Sequence, residues 1–253
     1  MAARRVLPGL SQKTGDKFVM IKLLTFDLDN TLWDADRIVL RAELAMRQWI
    51  REQHPGFAEH FDFRDFPALR EAVLRERGDI AHDLAQLRLE ALRRAFRQQG
   101  YASDSAETAA QGAYAVFFHE RNVVELFPGA RDALTRLRQD YSLYALSNGT
   151  ADIQRVGLSD IFSRHFSAIS VGAAKPDPRM YRAALAAAGV EPAQVIHIGD
   201  HPEQDVQAAA AVGMRTIWVN FAGQDWSAEA APPDAQLRDF SELRALVQRL
   251  AQK

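Results

Sequence analysis

Two carboxylates stand one residue apart in Phe26-Asp27-Leu28-Asp29-Asn30-Thr31-Leu32, directly after the apolar run from Ile21 to Phe26. Side chains alternate along a strand, so Asp27 and Asp29 start out pointing the same way. Like charges held that close repel, and a cation or a shared proton relieves the repulsion. Taken alone, the segment also reads as a solvated Asp-rich turn. Three further segments bear on the choice. Ser147-Asn148-Gly149 offers a hydroxyl, an amide and a backbone N–H; Lys175-Pro176-Asp177-Pro178 supplies an ammonium group; Gly199-Asp200, with Asp205 five residues on, adds two carboxylates. Each is ordinary by itself, but together they could gather acidic groups and one cationic donor around a metal ion.

The elements that must position them are legible as short apolar runs. Ile21–Phe26, Tyr141–Leu146, Phe166–Val171, Val195–Ile198 and Thr216–Val219 read as buried parallel strands. Helical patterns separate them at Gly129–Gln139, Pro178–Ala188 and Asp205–Val212, with a last helix from about Ser241, where Asp239 and Glu242 resemble a capping box. Strand–helix alternation predicts an α/β, Rossmann-like fold: a parallel sheet with helices on both faces. Ligands of open parallel sheets bind at the carboxyl ends of strands, where the polar segments fall. Between Phe26 and Leu146 the rhythm breaks. Residues 34–122 carry helical stretches at Asp36–Gln53, Phe66–Glu76, Ala81–Gln99 and Ser105–His119, and almost no strand signal. This is the pattern of an inserted all-helical cap, or else of a separate helical domain with no role at the site. The expected division is a loose tail over 1–17, an α/β core from 18–33 and 123–253, and the cap over 34–122. Gly223–Ala235 reads as a surface loop.

Bulk composition narrows the function. The 253 residues hold 31 basic and 33 acidic side chains, a net charge of -2, which gives no broad attraction to nucleic acid or anionic membrane. There is no cysteine, which excludes thiolate chemistry and cysteine-rich zinc sites and fits a cytoplasmic location. No apolar run approaches the roughly 18–20 residues of a membrane helix. The expected assembly is a monomer or homodimer.

With these segments in order, the chain resembles the haloacid dehalogenase-like hydrolase superfamily, in its phosphatase branch with a helical cap. The family pattern is Asp-x-Asp-x-Thr after a strand, Ser or Thr after another, a Lys, and an acidic Gly-Asp-x-x-x-x-Asp loop; here these are Asp27, Asp29 and Thr31, Ser147, Lys175, and Gly199-Asp200 with Asp205. The resemblance implies a phosphatase acting on a small phosphate ester as partner, in which Asp27 attacks phosphorus and Asp29 is first acid, then base. Mg²⁺ would be held by the Asp27 carboxylate, the Asp29 carbonyl and Asp200, with Asp205 orienting ligands nearby. Ser147, Asn148 and Lys175 would hold the phosphate oxygens, and Thr31 would support the loop. Within the superfamily, 2-haloacid dehalogenases use the same nucleophile without metal and lack the second acid, while sugar phosphomutases share the full set; both stand as alternatives. Around His54-Pro55, Leu69 and Asp83–Arg88 the chain is similar to bacterial flavin mononucleotide and 5-amino-6-(5-phosphoribitylamino)uracil phosphatases, which implies a flavin-like substrate. Trp33, Trp49, Phe61 and Phe117 could stack on such a ring, although buried core is the commoner fate of aromatics. His197 reads as a hydrogen-bonded structural histidine and His201 as a loop residue.

Overall fold

A computed structural model of the protein describes residues 20–227 and 231–252; the expected tail over 1–17 lies outside them. Strand β1 (Leu23–Phe26) leads into helices α1 (Ala35–Gln53), α2 (Pro55–His60), α3 (Phe66–Glu76), α4 (Leu84–Gln98) and α5 (Ser103–Arg121). Helix α6 (Ala130–Leu137), β2 (Ser142–Ser147), β3 (Arg164–Ser167), α7 (Ala168–Val171), α8 (Arg179–Ala188), β4 (Val195–Gly199), α9 (Ala208–Ala211), β5 (Arg215–Val219), β6 (Ala235–Leu237) and α10 (Leu243–Ala251) follow. Among the described residues six strands pair in parallel in the order β3-β2-β1-β4-β5-β6, with β1 in the interior of the sheet.

Alternation along β1 divides the core. Leu24 and Phe26 join α6 and α10 in one apolar cluster, which includes Leu134, Leu137, Leu246 and Leu250. Leu23 faces the other way, onto Met180, Tyr181 and Ala184 of α8 and Ala208 and Ala209 of α9. Helices therefore cover both faces, and the strands are buried on both, as their continuous apolar runs require. The inserted helices have an apolar cluster of their own, with Met46, Ile50, Phe57, Leu92, Phe96 and Phe117. Asp34 and Asp83 start α1 and α4 by accepting from the backbone N–H groups of Arg37 (2.9 Å) and Gln86 (2.8 Å); such caps contribute about 1 kcal/mol each.

The structure corrects several expected boundaries. The run Phe166–Val171 is not one strand: β3 ends at Ser167, whose hydroxyl caps α7 by accepting from Ser170 N (3.1 Å), and a positive φ of 73° at Gly172 stops that helix. Local capping outweighs the β-preference of Ile169 and Val171. The expected helix Asp205–Val212 begins earlier, as a π-helical turn over Pro202–Gln207 in which His201 Nδ1 accepts from Glu203 N and Gln204 N (both 3.2 Å). Strand β6 falls at the end of the expected surface loop, too short to announce itself. It is secured by pairing with β5 and by Asp234, which accepts from Thr216 N at 2.8 Å. No helix among the described residues is long and apolar enough to cross a membrane.

Candidate active site at the strand ends

Asp27 continues the β1 ladder by donating its backbone N–H to Ile198 O (2.9 Å), on the same side of the strand as Leu23 and Thr25. Parallel register puts Thr25 opposite His197 of β4, and the Thr25 hydroxyl lies 2.8 Å from His197 Nδ1. His197 Nε2 lies 3.2 Å from Asp205 Oδ1. A carboxylate only accepts, so Nε2 carries the proton and Nδ1 accepts from Thr25. Burial keeps the imidazole neutral by lowering its pKa.

Lys175 joins the two carboxylates. Its Nζ donates to Asp27 Oδ1 (2.6 Å), Asp205 Oδ1 (2.6 Å) and Leu146 O (2.9 Å), which uses all three N–H bonds. Asn148 clamps the lysine backbone in both directions: its Nδ2 donates to Lys175 O (2.9 Å) and its Oδ1 accepts from Lys175 N (2.7 Å). Burial opposes the ammonium, but Asp205 and Asp27 more than offset it and hold its pKa well above the ordinary lysine value. Asp205 is likewise buried. Lys175 and His197 overcome that penalty and keep its carboxyl far below the usual range. Asp27 differs: burial raises its pKa beyond what Lys175 can offset, and Asp205 and Asp200 raise it further.

Asp200 completes an acidic trio. One carboxylate oxygen from each of Asp27, Asp200 and Asp205 lies within 4.8 Å of the others. Asp200 accepts from Thr31 Oγ1 (3.1 Å), its carbonyl accepts from Trp218 Nε1 (2.7 Å), and burial with Asp205 pushes its pKa up to about 6. Three carboxylates against one ammonium leave surplus negative charge, and an all-oxygen donor set fits a hard divalent cation such as Mg²⁺. Gly199 permits the approach, since a Cβ there would lie 2.4 Å from Asp205 Cγ.

Asp29 stands apart from the trio. Its carboxylate accepts from Trp33 Nε1 (2.8 Å) and from Arg121 Nη2 at 2.5 Å to each oxygen. A cavity of about 150 Å³ is lined by Asp27, Asp29, Asn30, Asn148, Gly149, Asp200, His201, Gln204 and Asp205. Ser147, Thr31 and Lys175 do not line it. The Ser147 hydroxyl is buried and accepts from Gly149 N (3.0 Å), Thr31 serves Asp200, and Lys175 lies beneath Asp27. Sequence reasoning missed Arg121, the last residue of α5. Nothing in its local context distinguishes it from the other arginines of the helices. Of the aromatics, Trp33 and Phe61 are core, Trp49 covers Gly112, and Phe117 lies under Arg88, whose guanidinium carbon is 3.6 Å from the ring centre.

Known proteins place this geometry. A family model for haloacid dehalogenase-like hydrolases matches residues 21–213. The 5-amino-6-(5-phospho-D-ribitylamino)uracil phosphatase YigB of Escherichia coli (strain K12) is 30% identical over 216 residues, 84% of this chain and 90% of that protein. Phosphoserine phosphatase of Thermus thermophilus is 36% identical over 157 residues, 60% of this chain and 61% of that protein. The crystal structure of a 2-haloacid dehalogenase from Pseudomonas syringae pv. Tomato DC3000 superposes with a TM-score of 0.87 at 37% identity, covering 91% of this chain and 99% of that one. On the length of these matches, and on motif residues that the fold brings to one sheet edge, the chain belongs to the haloacid dehalogenase-like hydrolase family.

Proposed function

We propose that the protein is a Mg²⁺-dependent phosphomonoester hydrolase acting on a small phosphorylated metabolite. The observation that carries this reading is the pairing of two distinct acidic systems: the Asp27, Asp200 and Asp205 trio, and Asp29 in the same cavity with its own partners. Asp27 attacks phosphorus in line, the P–O bond to the leaving group breaks, and an aspartyl-phosphate forms. Asp29 gives a proton to the departing alkoxide, then takes one from the water that hydrolyses the aspartyl-phosphate. Asp27, Asp200, Asp205 and the Asp29 carbonyl are the groups that would hold the metal, which supplies charge neutralisation at the phosphoryl oxygens. Lys175 fixes Asp27 for attack, and Asn148 fixes Lys175. Residues 34–122 act as a cap that admits substrate and excludes water.

The reading draws support from the two phosphatase relatives, whose substrates, a ribitylamino-uracil phosphate and phosphoserine, are the first to try. The similarity to a 2-haloacid dehalogenase structure gives a second reading, in which Asp27 displaces halide from carbon. Against it, a halide leaves without a proton, so Asp29 would be idle. The test is turnover of p-nitrophenyl phosphate, the two relatives' substrates, flavin mononucleotide and 2-chloropropionate, with Mg²⁺ and with chelator. The expected result is phosphate release that needs Mg²⁺ and disappears in Asp27→Asn. Chloride release without metal, or Asp27→Asn activity within about tenfold of the parent, roughly 1.4 kcal/mol in barrier, would overturn the assignment.

A further inference from the structure

A phosphoryl group in the cavity of the acidic trio carries non-bridging oxygens that a metal ion does not satisfy alone, so the site must supply further donors. Among the described residues, no Lys or Arg lines that cavity; four aspartates do, Asp27, Asp29, Asp200 and Asp205. The side-chain donors that the family pattern offers are already engaged. Ser147 is fully buried with its hydroxyl against Gly149 N, and Lys175 places its three N–H bonds on Asp27, Asp205 and Leu146 O. Asn148 Nδ2 likewise uses both of its N–H bonds, one on Lys175 O (2.9 Å) and one on Gln204 Oε1 (3.0 Å).

That last bond fixes which atom Gln204 has left to offer. Lys175 N donates to Asn148 Oδ1 (2.7 Å), so the other branch of the Asn148 amide is its donor. A donor must face an acceptor, which makes the near branch of Gln204 the carbonyl and leaves Nε2 on the far one. Gln204 lines the cavity and is half-buried. Its Nε2 has no partner among the described residues, yet it is not one of the solvent-inaccessible unpartnered atoms, so solvent reaches it. The residue is also anchored before any ligand arrives. Its backbone N–H donates to His201 Nδ1 (3.2 Å), its carbonyl accepts from the Tyr181 hydroxyl, and its side chain is tied through Asn148 to Lys175 and hence to Asp27. Ordering it therefore costs little at binding. Neutrality suits the place: an ammonium or guanidinium group facing four aspartates would pair with them and compete with the metal, whereas an amide donates without adding charge.

We propose that Gln204 Nε2 donates a hydrogen bond to a non-bridging phosphoryl oxygen, in the substrate and in the aspartyl-phosphate, where the family pattern places the hydroxyl of Ser147. The proposal rests on the phosphatase reading and adds a phosphoryl-binding residue that lies outside the motif positions. Because Gln204, Asn148, Lys175 and Asp27 form one hydrogen-bonded chain, the donor and the nucleophile are set in register with each other.

The test uses Gln204→Met, which removes both donor and acceptor, and Gln204→Glu, which keeps an acceptor for Asn148 and loses the donor. Inhibition of p-nitrophenyl phosphate hydrolysis by inorganic phosphate is measured at saturating Mg²⁺, together with Mg²⁺ affinity by calorimetry and Tm. In both variants the phosphate inhibition constant should rise by about tenfold, the loss of one hydrogen bond to a charged group, and kcat/KM should fall by at least as much. Mg²⁺ affinity in Gln204→Met should stay within about twofold, and Tm within about 4 °C. An inhibition constant unchanged in Gln204→Met overturns the proposal. So does recovery of the parent value in Gln204→Glu, which would reduce Gln204 to a support for Asn148, and so does a loss of Mg²⁺ affinity that accounts for the whole effect. A crystal structure of the parent with Mg²⁺ and beryllium fluoride, a mimic of the aspartyl-phosphate, reads the contact without any substitution. A fluorine within about 3.2 Å of Nε2 supports it, and a side chain turned away from the adduct overturns it. Failure of the parent to hydrolyse p-nitrophenyl phosphate at all removes the phosphatase reading and this proposal with it.

Discussion

Replacing Lys175 with Met tests the electrostatic account of the site most directly. The thioether chain fills nearly the same volume, so packing against Tyr181 and the β2 end is largely kept. What disappears is a cation whose three N–H bonds reach Asp27, Asp205 and Leu146 O at 2.6, 2.6 and 2.9 Å. Both carboxylates are buried, with side chains 9% and 2% exposed, so they are left facing each other in a medium that solvates neither. Removing one partner of a buried ion pair costs about 3–5 kcal/mol. For a chain of this size that is a fall in Tm of roughly 6–20 °C. The sign of the pH dependence follows. In the parent, Asp205 has a depressed pKa and contributes stability above the ordinary carboxylate range. In Lys175→Met both carboxyls shift upward, so the variant is relatively stable where they are protonated and loses stability as pH rises through their folded values. Thermal melts in chelator at pH 5 and pH 8 read this out, with the deficit larger at pH 8, and excess Mg²⁺ should recover part of it. A variant melting within about 2 °C of the parent at pH 8 would refute the reasoning, because it would mean less than roughly 1 kcal/mol rests on the pair.

Three other outcomes are expected. Burial and Asp205 push the Asp200 pKa up to about 6 in the metal-free protein, so Mg²⁺ must displace a proton at lower pH; calorimetric affinity should fall towards tenfold per pH unit below about 6 and level off above it. In Gly149→Ala the new Cβ would lie 2.2 Å from Asp29 Oδ2 and 3.0 Å from Arg121 Nη2, so Asp29 must move. Its kcat should fall by about 100-fold on an alkyl phosphate and less on p-nitrophenyl phosphate, whose leaving group needs little protonation. Thr31→Val removes the hydroxyl held 3.1 Å from Asp200 and should weaken Mg²⁺ binding by about tenfold, one neutral-to-charged hydrogen bond at the low end, with Tm shifted by only a few degrees.

The core of the fold and the centre of the site were legible because their signals are local. A buried parallel strand must be an apolar run, and its polar end must follow immediately, so Phe26-Asp27, Leu146-Ser147 and Ile198-Gly199-Asp200 identify both strand and site in one stretch of chain. The inserted helices were legible for the same reason, through their 3.6-residue periodicity. What the residue order could not convey is where a side chain turns once its element is packed. Asp29 and Arg121 are 92 positions apart and meet only because α5 ends over the β1 loop. The Ser147 hydroxyl, expected to hold a phosphate oxygen, is buried and accepts from Gly149 N, and the Asn148 amide is committed to the Lys175 backbone. Strand composition and periodicity thus determined the architecture, the order of the motifs and the acidic character of the strand ends. The tertiary structure alone decided which carboxylates share Lys175 and which one Arg121 takes, since each depends on distances between segments that the chain itself leaves far apart.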